Sequence, residues 1–231
     1  MRTWLPVLPL VATALAVPAT AGADVRLSTE HSVTRWAHAN LLAKVRVEPD
    51  RRSRAVARLR WQTEDGPPEV YVVLRSRRVG GATWMQIRVP GRPNGRTGWV
   101  HRDALSSLHK IHTALTIRQR TLTATLTNRG RVIWSSRVGM GAPGTPTPKG
   151  RFWIRERLHG FGGSFGPWAF GTSAYSNVLT GWPGGGVIGI HGTNQPGLIP
   201  GRPSHGCVRV PNWKIVQLKR LMPIGTPVRI R

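Results

Sequence analysis

From Leu41 to about Leu108, apolar and polar positions alternate in short bursts separated by turn residues, the period-two pattern of half-buried strands. Lys44-Val45-Arg46-Val47 alternates and stops at Glu48-Pro49-Asp50. Glu69 to Leu74 is rich in β-branched and aromatic residues, Trp84 to Val89 alternates again, and Asn94-Gly95 marks a tight turn before Gly98-Trp99-Val100. No window of about 12 residues carries a helical apolar stripe, so this stretch predicts a small all-β unit. A second unit runs from His109 to Arg231. Ile111 to Ile117 and Leu122 to Leu126 alternate, Asn128-Arg129-Gly130 predicts a turn, and Val132 to Val138 predicts the returning strand.

Beyond that hairpin the pattern loosens. Gly139 to Gly150 reads as a loop carrying Pro143, Pro146 and Pro148, and Phe152 to Ile154 as a strand. Leu158 to Gly186 is rich in Gly and aromatic residues without period, long for a passive connection. Val187 to Ile190 is a short apolar strand running into His191, and Val228-Arg229-Ile230 is a last strand. One helix is expected, capped by Asn212, running to about Leu221, with Ile215, Leu218, Leu221 and Met222 on one face.

The front of the chain differs from both units. Arg2 gives a positive start, Leu5 to Val17 is almost wholly apolar, and Ala21-Gly22-Ala23 has the small-x-small form of a signal-peptidase site. Thirteen apolar residues interrupted by Pro6 and Pro9 are too few to cross a hydrocarbon core of about 30 Å. Residues 1–23 are therefore expected to be a signal peptide, and residues 24–40, polar and without period, a linker or arm. The mature chain is expected to be extracytoplasmic, wall-associated or periplasmic, with no integral membrane segment.

Charge and cysteine usage sharpen this. Lys and Arg number 34 against 9 Asp and Glu, a formal net charge of +25. Such a surface attracts nucleic acid, anionic lipid or an anionic wall alike. Export and the lack of a recognition helix or RNA-binding aromatic motif exclude nucleic acid and leave anionic cell-wall polymers. A single Cys rules out an internal disulfide. One Cys, no Cys-x-x-Cys pair and almost no carboxylates in the second unit also argue against a metal, and no cofactor is implied.

The reactive residue types converge on two short segments. Ile190-His191-Gly192-Thr193-Asn194 is followed, sixteen positions after His191, by Cys207 within Ser204-His205-Gly206-Cys207-Val208-Arg209. A thiol with an ordinary pKa is only a few per cent thiolate at neutral pH, so a cysteine nucleophile needs a base beside it, and histidine can take the proton and return it. Gly206 lets backbone approach a reacting carbonyl, the amides near Gly206 and Cys207 are candidate oxyanion donors, and Arg209 suits a substrate carboxylate. Of the nine acidic residues only Glu156 lies beyond Asp103, so the group that orients His191 is Glu156, a carboxylate from the first unit, or a backbone carbonyl, the last being preferred.

His191-Gly192-Thr193 and Ser204-His205-Gly206-Cys207-Val208-Arg209-Val210 closely resemble the signature of the L,D-transpeptidase (YkuD-type) catalytic domain. Gly144 to Phe152 looks like that family's earlier strand-loop motif, Gly166-Pro167-Trp168-Ala169-Phe170 also fits, and the resemblance covers residues 109–231. It implies a β-sandwich-like fold with Cys207 as acylated nucleophile, His191 as general base, His205 and Arg209 as supporting residues, and Ser204, Gly206 and Gly192 shaping the loop and oxyanion pocket. The substrates implied are peptidoglycan stem peptides, joined by 3→3 cross-links with release of D-alanine. An L,D-carboxypeptidase of the same mechanism and a non-catalytic wall-binding protein are the alternatives, and a monomer is expected. Residues 41–108, opening on Val45-Arg46-Val47 and closing on Gly98-Trp99-Val100, resemble bacterial SH3-like barrels. In wall cysteine endopeptidases bearing such modules the Cys precedes its His, whereas here it follows.

Overall fold

The computed structural model describes residues 22–159, 162–181 and 183–231. The expected signal peptide therefore lies, apart from Gly22 and Ala23, outside the described residues. Among those described, the chain is mostly β. Its first half holds β1 (Val25–Arg26), β2 (Thr34–Ala37), β3 (Lys44–Arg46), β4 (Ala55–Arg58), β5 (Tyr71–Val79), β6 (Ala82–Arg88), β7 (Thr97–His101) and β8 (His109–Ile111). The second half holds β9 (Thr113–Arg118), β10 (Thr123–Asn128), β11 (Arg131–Arg137), β12 (Gly139–Gly141), β13 (Gly150–Trp153), β14 (Leu158–His159), β15 (Trp168–Tyr175), β16 (Val187–His191), β17 (Gly201–Ser204) and β18 (Val208–Arg209). Helix α1 (Asn212–Leu221) and β19 (Pro227–Ile230) follow.

The first eight strands form one sheet in the order β4-β3-β7-β6-β5-β2-β8, with β1 added to β5. That path ends on β4 and β8, and among the described residues it does not close into the expected small barrel. The strands that prompted the SH3-like resemblance are nonetheless neighbours, with Arg46 opposite Trp99. Residues 24–40, expected as a linker or arm, contribute β1 and β2. β2 lies between β5 and β8 and buries Ala37 fully, so its four residues are sheet interior rather than tether. Because β8 joins this sheet, the chain changes sheets at His112, not before His109.

The second half packs two sheets face to face, β11-β10-β9-β19-β13 against β14-β15-β16-β18-β12-β17. Leu115, Ile117 and Leu126 from the first meet Phe170, Ile188, Ile190 and Val208 from the second, and α1 adds Ile215 and Leu218. Leu221, expected on that helix face, is instead exposed. The β10–β11 hairpin turns at Arg129 and Gly130, both with positive φ (50° and 79°), the pairing that a two-residue turn of the strands' own twist demands. Leu158 to Gly186 is not a continuous loop. It contains β14 and β15, and all eight residues of β15 are buried, which removes the alternation that would have revealed it.

The two halves meet through buried groups. Trp153 packs on Val70 and Val72, and its indole N–H donates to the Val70 carbonyl at 2.8 Å. Trp36 nestles against Gly225, where a Cβ would stand 2.1 Å from the indole.

Candidate active site

Two neighbouring strands place the reactive residues. β16 and β18 run parallel, with Ile190 opposite Val208 and His191 opposite Arg209. His191 therefore closes β16, and Cys207 immediately precedes β18. The backbone N–H of Gly189 on β16 donates to the Cys207 Sγ at 3.3 Å. Cys207 thus enters the strand that pairs with the one His191 ends.

The turn before Cys207 is internally tied. The Ser204 hydroxyl donates to the Cys207 carbonyl at 2.6 Å and accepts the Gly206 N–H at 3.2 Å. The Thr147 hydroxyl donates to the Gly206 carbonyl at 2.8 Å and accepts the Gly141 N–H at 2.9 Å. The expectation that the Gly206 amide serves a substrate oxyanion is thereby corrected, because that N–H points to Ser204. What Gly206 supplies is conformation. Its φ is +122°, and a Cβ there would stand 2.8 Å from the Ile188 side chain. Ser204 acts as a brace inside the turn.

His191 is 4% exposed, and its Nδ1 lies 2.6 Å from the Gly192 carbonyl, the backbone orienter the sequence favoured. A carbonyl can only accept, so Nδ1 carries the proton and Nε2 keeps its lone pair. Burial pushes the imidazole down to about 4, the Gly192 carbonyl opposes this, and Arg209 adds to the depression. His191 is therefore neutral near pH 7. Burial raises the Cys207 thiol, against the opposing pull of the Gly189 amide and Arg209. The resting forms are thus a protonated thiol on Cys207 and a neutral imidazole on His191. Glu156 is placed elsewhere, its carboxylate against Gly171.

Both residues open on a cavity of about 250 Å³ whose walls include Phe165, Ser176, Leu179, Ile188, His205 and Arg209. The Phe165 ring lies 4.9 Å from that of His191, tilted by 50°. Arg209 donates through Nη1 to Gln195 at 3.0 Å. His205 and Arg209, predicted as supporting residues, thus line the same space as Cys207 and His191. Gly192 shapes the site from behind, through the carbonyl that orients the ring.

The sequence of residues 113–230 matches the YkuD family, described as the L,D-transpeptidase catalytic domain. The chain belongs to this family. It is 35% identical over 155 residues to the "Putative L,D-transpeptidase YkuD" of Bacillus subtilis, an alignment covering 67% of this chain and 80% of that one. The Bacillus licheniformis protein of the same name is 33% identical over 117 residues, covering 51% of this chain and 63% of the relative. Among solved structures, an L,D-transpeptidase from Enterococcus faecium aligns with a TM-score of 0.42 at 20% identity, over 52% of this chain and 49% of that one. One from Mycobacterium smegmatis gives 0.44 at 14% identity, over 65% and 90%.

Within this L,D-transpeptidase domain, Asn212 was misread from sequence. The N-cap of α1 is Pro211, and the Asn212 side chain instead accepts the Thr193 N–H at 2.8 Å. A Cβ on Gly192 or on Gly166 would stand 2.4 Å from that same Asn212 oxygen. Three segments distant in sequence are therefore drawn together behind His191 by one amide. An Asn opening a helix signals a cap, and nothing local distinguishes a cap from a tether. Among the described residues no group of three His, Cys, Asp or Glu could hold a metal ion, and no helix is long and apolar enough to cross a membrane.

Proposed function

We propose that this protein is an exported peptidoglycan L,D-transpeptidase that forms 3→3 cross-links through an acyl-enzyme on Cys207. The observation that carries this reading is the shared cavity of Cys207 and His191. The sulfur rests on the Gly189 amide of the strand that ends in a neutral histidine, with Nε2 left as the base.

In the first half-reaction the Cys207 thiol gives its proton to His191 Nε2 as the sulfur attacks the amide between the third residue of a stem peptide and its terminal D-alanine. The C–N bond breaks, His191 returns the proton to the departing amine, and a thioester remains. In the second, an amine of another stem peptide attacks the thioester, His191 takes its proton, and the sulfur leaves and is reprotonated. Water in place of the amine makes the enzyme an L,D-carboxypeptidase. Arg209, with Nη1 on Gln195, supplies positive charge at the cavity wall for a substrate carboxylate. The amide of Cys207 is the oxyanion donor of this reading. The N-terminal sheet and the cationic surface hold the domain against anionic wall polymer.

Incubating the pure protein with tetrapeptide-containing peptidoglycan fragments, followed by mass spectrometry, tests this directly. A cross-linked dimer lacking one D-alanine is expected, together with a thioester mass on Cys207. Free tripeptide alone assigns the carboxypeptidase, and unchanged substrate with an unmodified thiol overturns both.

A further inference from the structure

The rim of the Cys207 cavity is held from outside the family domain. The loop joining β6 to β7 carries Arg92 and Asn94. The Arg92 guanidinium donates to the Ser176 carbonyl through Nε at 3.1 Å and Nη2 at 2.9 Å, and through Nη2 to the Leu179 carbonyl at 3.0 Å. Its carbon lies 5.1 Å from the centre of the Tyr175 ring. Asn94 pairs with the backbone of Tyr175 in both directions, Nδ2 to the carbonyl at 2.8 Å and the Tyr175 N–H to Oδ1 at 3.0 Å. Ser176 and Leu179 line the cavity.

The connection continues inward. The Ser176 N–H donates to the Gly186 carbonyl at 2.8 Å, and Gly186 leads directly into β16, whose Gly189 amide touches the sulfur. Gly186 has φ +83°, and a Cβ there would stand 2.6 Å from Arg92 Nη2 and 2.0 Å from the Leu179 oxygen. The glycine leaves the space through which Arg92 reaches the rim. Asn177 and Val178 are exposed and Leu179 is half-buried, and among the described residues local turns to the Ser176 hydroxyl (3.2 and 3.0 Å) fix the amides of Val178 and Leu179 from within. A guanidinium that satisfies two carbonyls with a fork of fixed geometry defines the shape of such a loop far better than those turns alone.

We infer that Arg92 and Asn94 are positioning residues for the acyl-donor peptide, so that the N-terminal sheet completes the substrate cleft rather than merely tethering the domain to the wall. This rests on the function proposed above. The clamp sets where the rim stands when the stem peptide arrives, while the sulfur and its base are fixed by β16 and β18. Loosening it should therefore weaken substrate binding and leave the nucleophile alone.

The test uses the full chain with Arg92→Ala, Arg92→Lys and Asn94→Ala, each checked by thermal melting. For tetrapeptide fragments, Arg92→Ala should raise KM about tenfold with kcat changed by less than about twofold. Arg92→Lys, which keeps the charge but loses the fork, should recover part of that. Iodoacetamide alkylation of Cys207 should proceed at the wild-type rate in all three. Hydrogen exchange should quicken at the amides of residues 176–179 and stay unchanged in the β9–β10 hairpin. An unchanged KM, or alkylation falling together with turnover, overturns the inference. If Arg92→Ala does not fold, Arg92→Lys and Asn94→Ala carry the same comparison. If the wild-type protein turns over no peptide, the proposed function fails by itself. Hydrogen exchange then still decides the clamp, since wild-type protection at residues 176–179 in the variants would refute it.

Discussion

The Arg155 guanidinium lies edge-on to the Glu69 carboxylate across the junction of the two halves, Nε to Oε1 at 2.7 Å and Nη2 to Oε2 at 2.5 Å, with both side chains fully buried. Glu64 joins from the side, accepting from Arg155 Nη2 at 2.8 Å, and Arg60 reaches Glu69 at 2.6 Å from the solvent side. Desolvating such a pair costs nearly what its attraction returns, but removing one partner strands a buried charge. Arg155→Ala or Glu69→Ala alone should therefore destabilise the chain by about 3–5 kcal/mol in urea unfolding, whereas Arg155→Met combined with Glu69→Leu should recover most of the loss.

Two carboxyls near this junction bend the pH dependence of stability in opposite senses. Glu64 is held down to about 2, burial being outweighed by Arg155 and the Tyr175 hydroxyl. Its contribution is present above the unfolded value of 4.5 and fades as pH falls toward 2. Glu156 is pushed up to about 7, chiefly by burial, against Thr63 and Arg155. Between 4.5 and about 7 the folded chain thus holds a proton the unfolded chain has lost, so stability falls as pH rises through that window. Glu156→Gln should match wild type at pH 4 and exceed it at pH 8 by on the order of 2–3 kcal/mol in urea midpoints converted to free energy. Equal pH profiles for the two proteins would refute this account.

At the site, Cys207→Ser should abolish turnover without unfolding the chain, because an alkoxide forms far less readily than a thiolate under the same base. His191→Ala should slow acylation by roughly 10²–10⁴-fold, and His205→Ala by less. Since His191 must be neutral to act and sits at about 4, the acid limb of kcat/KM should fall near pH 4 rather than 6.5. Stopped-flow acylation across pH reads all three, and a larger loss in the His205 variant would exchange the two roles.

Charge should govern adhesion more than chemistry. From His109 to Arg231 there are seventeen Lys and Arg and one Glu. Exposed charges are screened beyond about 8 Å at physiological salt, whereas groups in contact inside a cavity are not. Retention on wall sacculi should collapse between low salt and about 0.5 M sodium chloride. Turnover of a small tetrapeptide should change little over that range, and Arg209→Ala should impair it at every salt concentration. Salt-indifferent sedimentation with sacculi would contradict the adhesive role.

Where local pattern decides structure, the sequence was readable. The β10–β11 hairpin, the strand entering His191, the helix at Asn212–Leu221 and the His-Gly-Thr and Ser-His-Gly-Cys segments were all visible, because alternation, turn residues and rare reactive types are local signals. β15 was not, since burial on both faces erased its period. β2 was not, since Thr34–Ala37 shows too short a pattern to separate from a polar arm. The Arg155–Glu69 pair, the Asn212 tether and the Arg92 clamp join residues 86, 19 and 84 positions apart, and nothing near either partner announces the other.

The parallel pairing of β16 with β18 makes the spacing of His191 and Cys207 a property of the sheet rather than of the chain that joins them. Adjacent strands stand about 4.8 Å apart whatever the length of their connection. Only the tip of the crossover stands clear of the site: it reaches solvent at Gln195 to Leu198, with open space around Gly197. Lengthening the chain at Gly197 by several residues should leave Cys207 alkylation by iodoacetamide at its wild-type rate, whereas a single residue inserted between Gly189 and His191 should abolish it. In the function proposed above, the spacing of Cys207 and His191 then stays fixed by the β16–β18 register while the loop at Gly197 is free to change length.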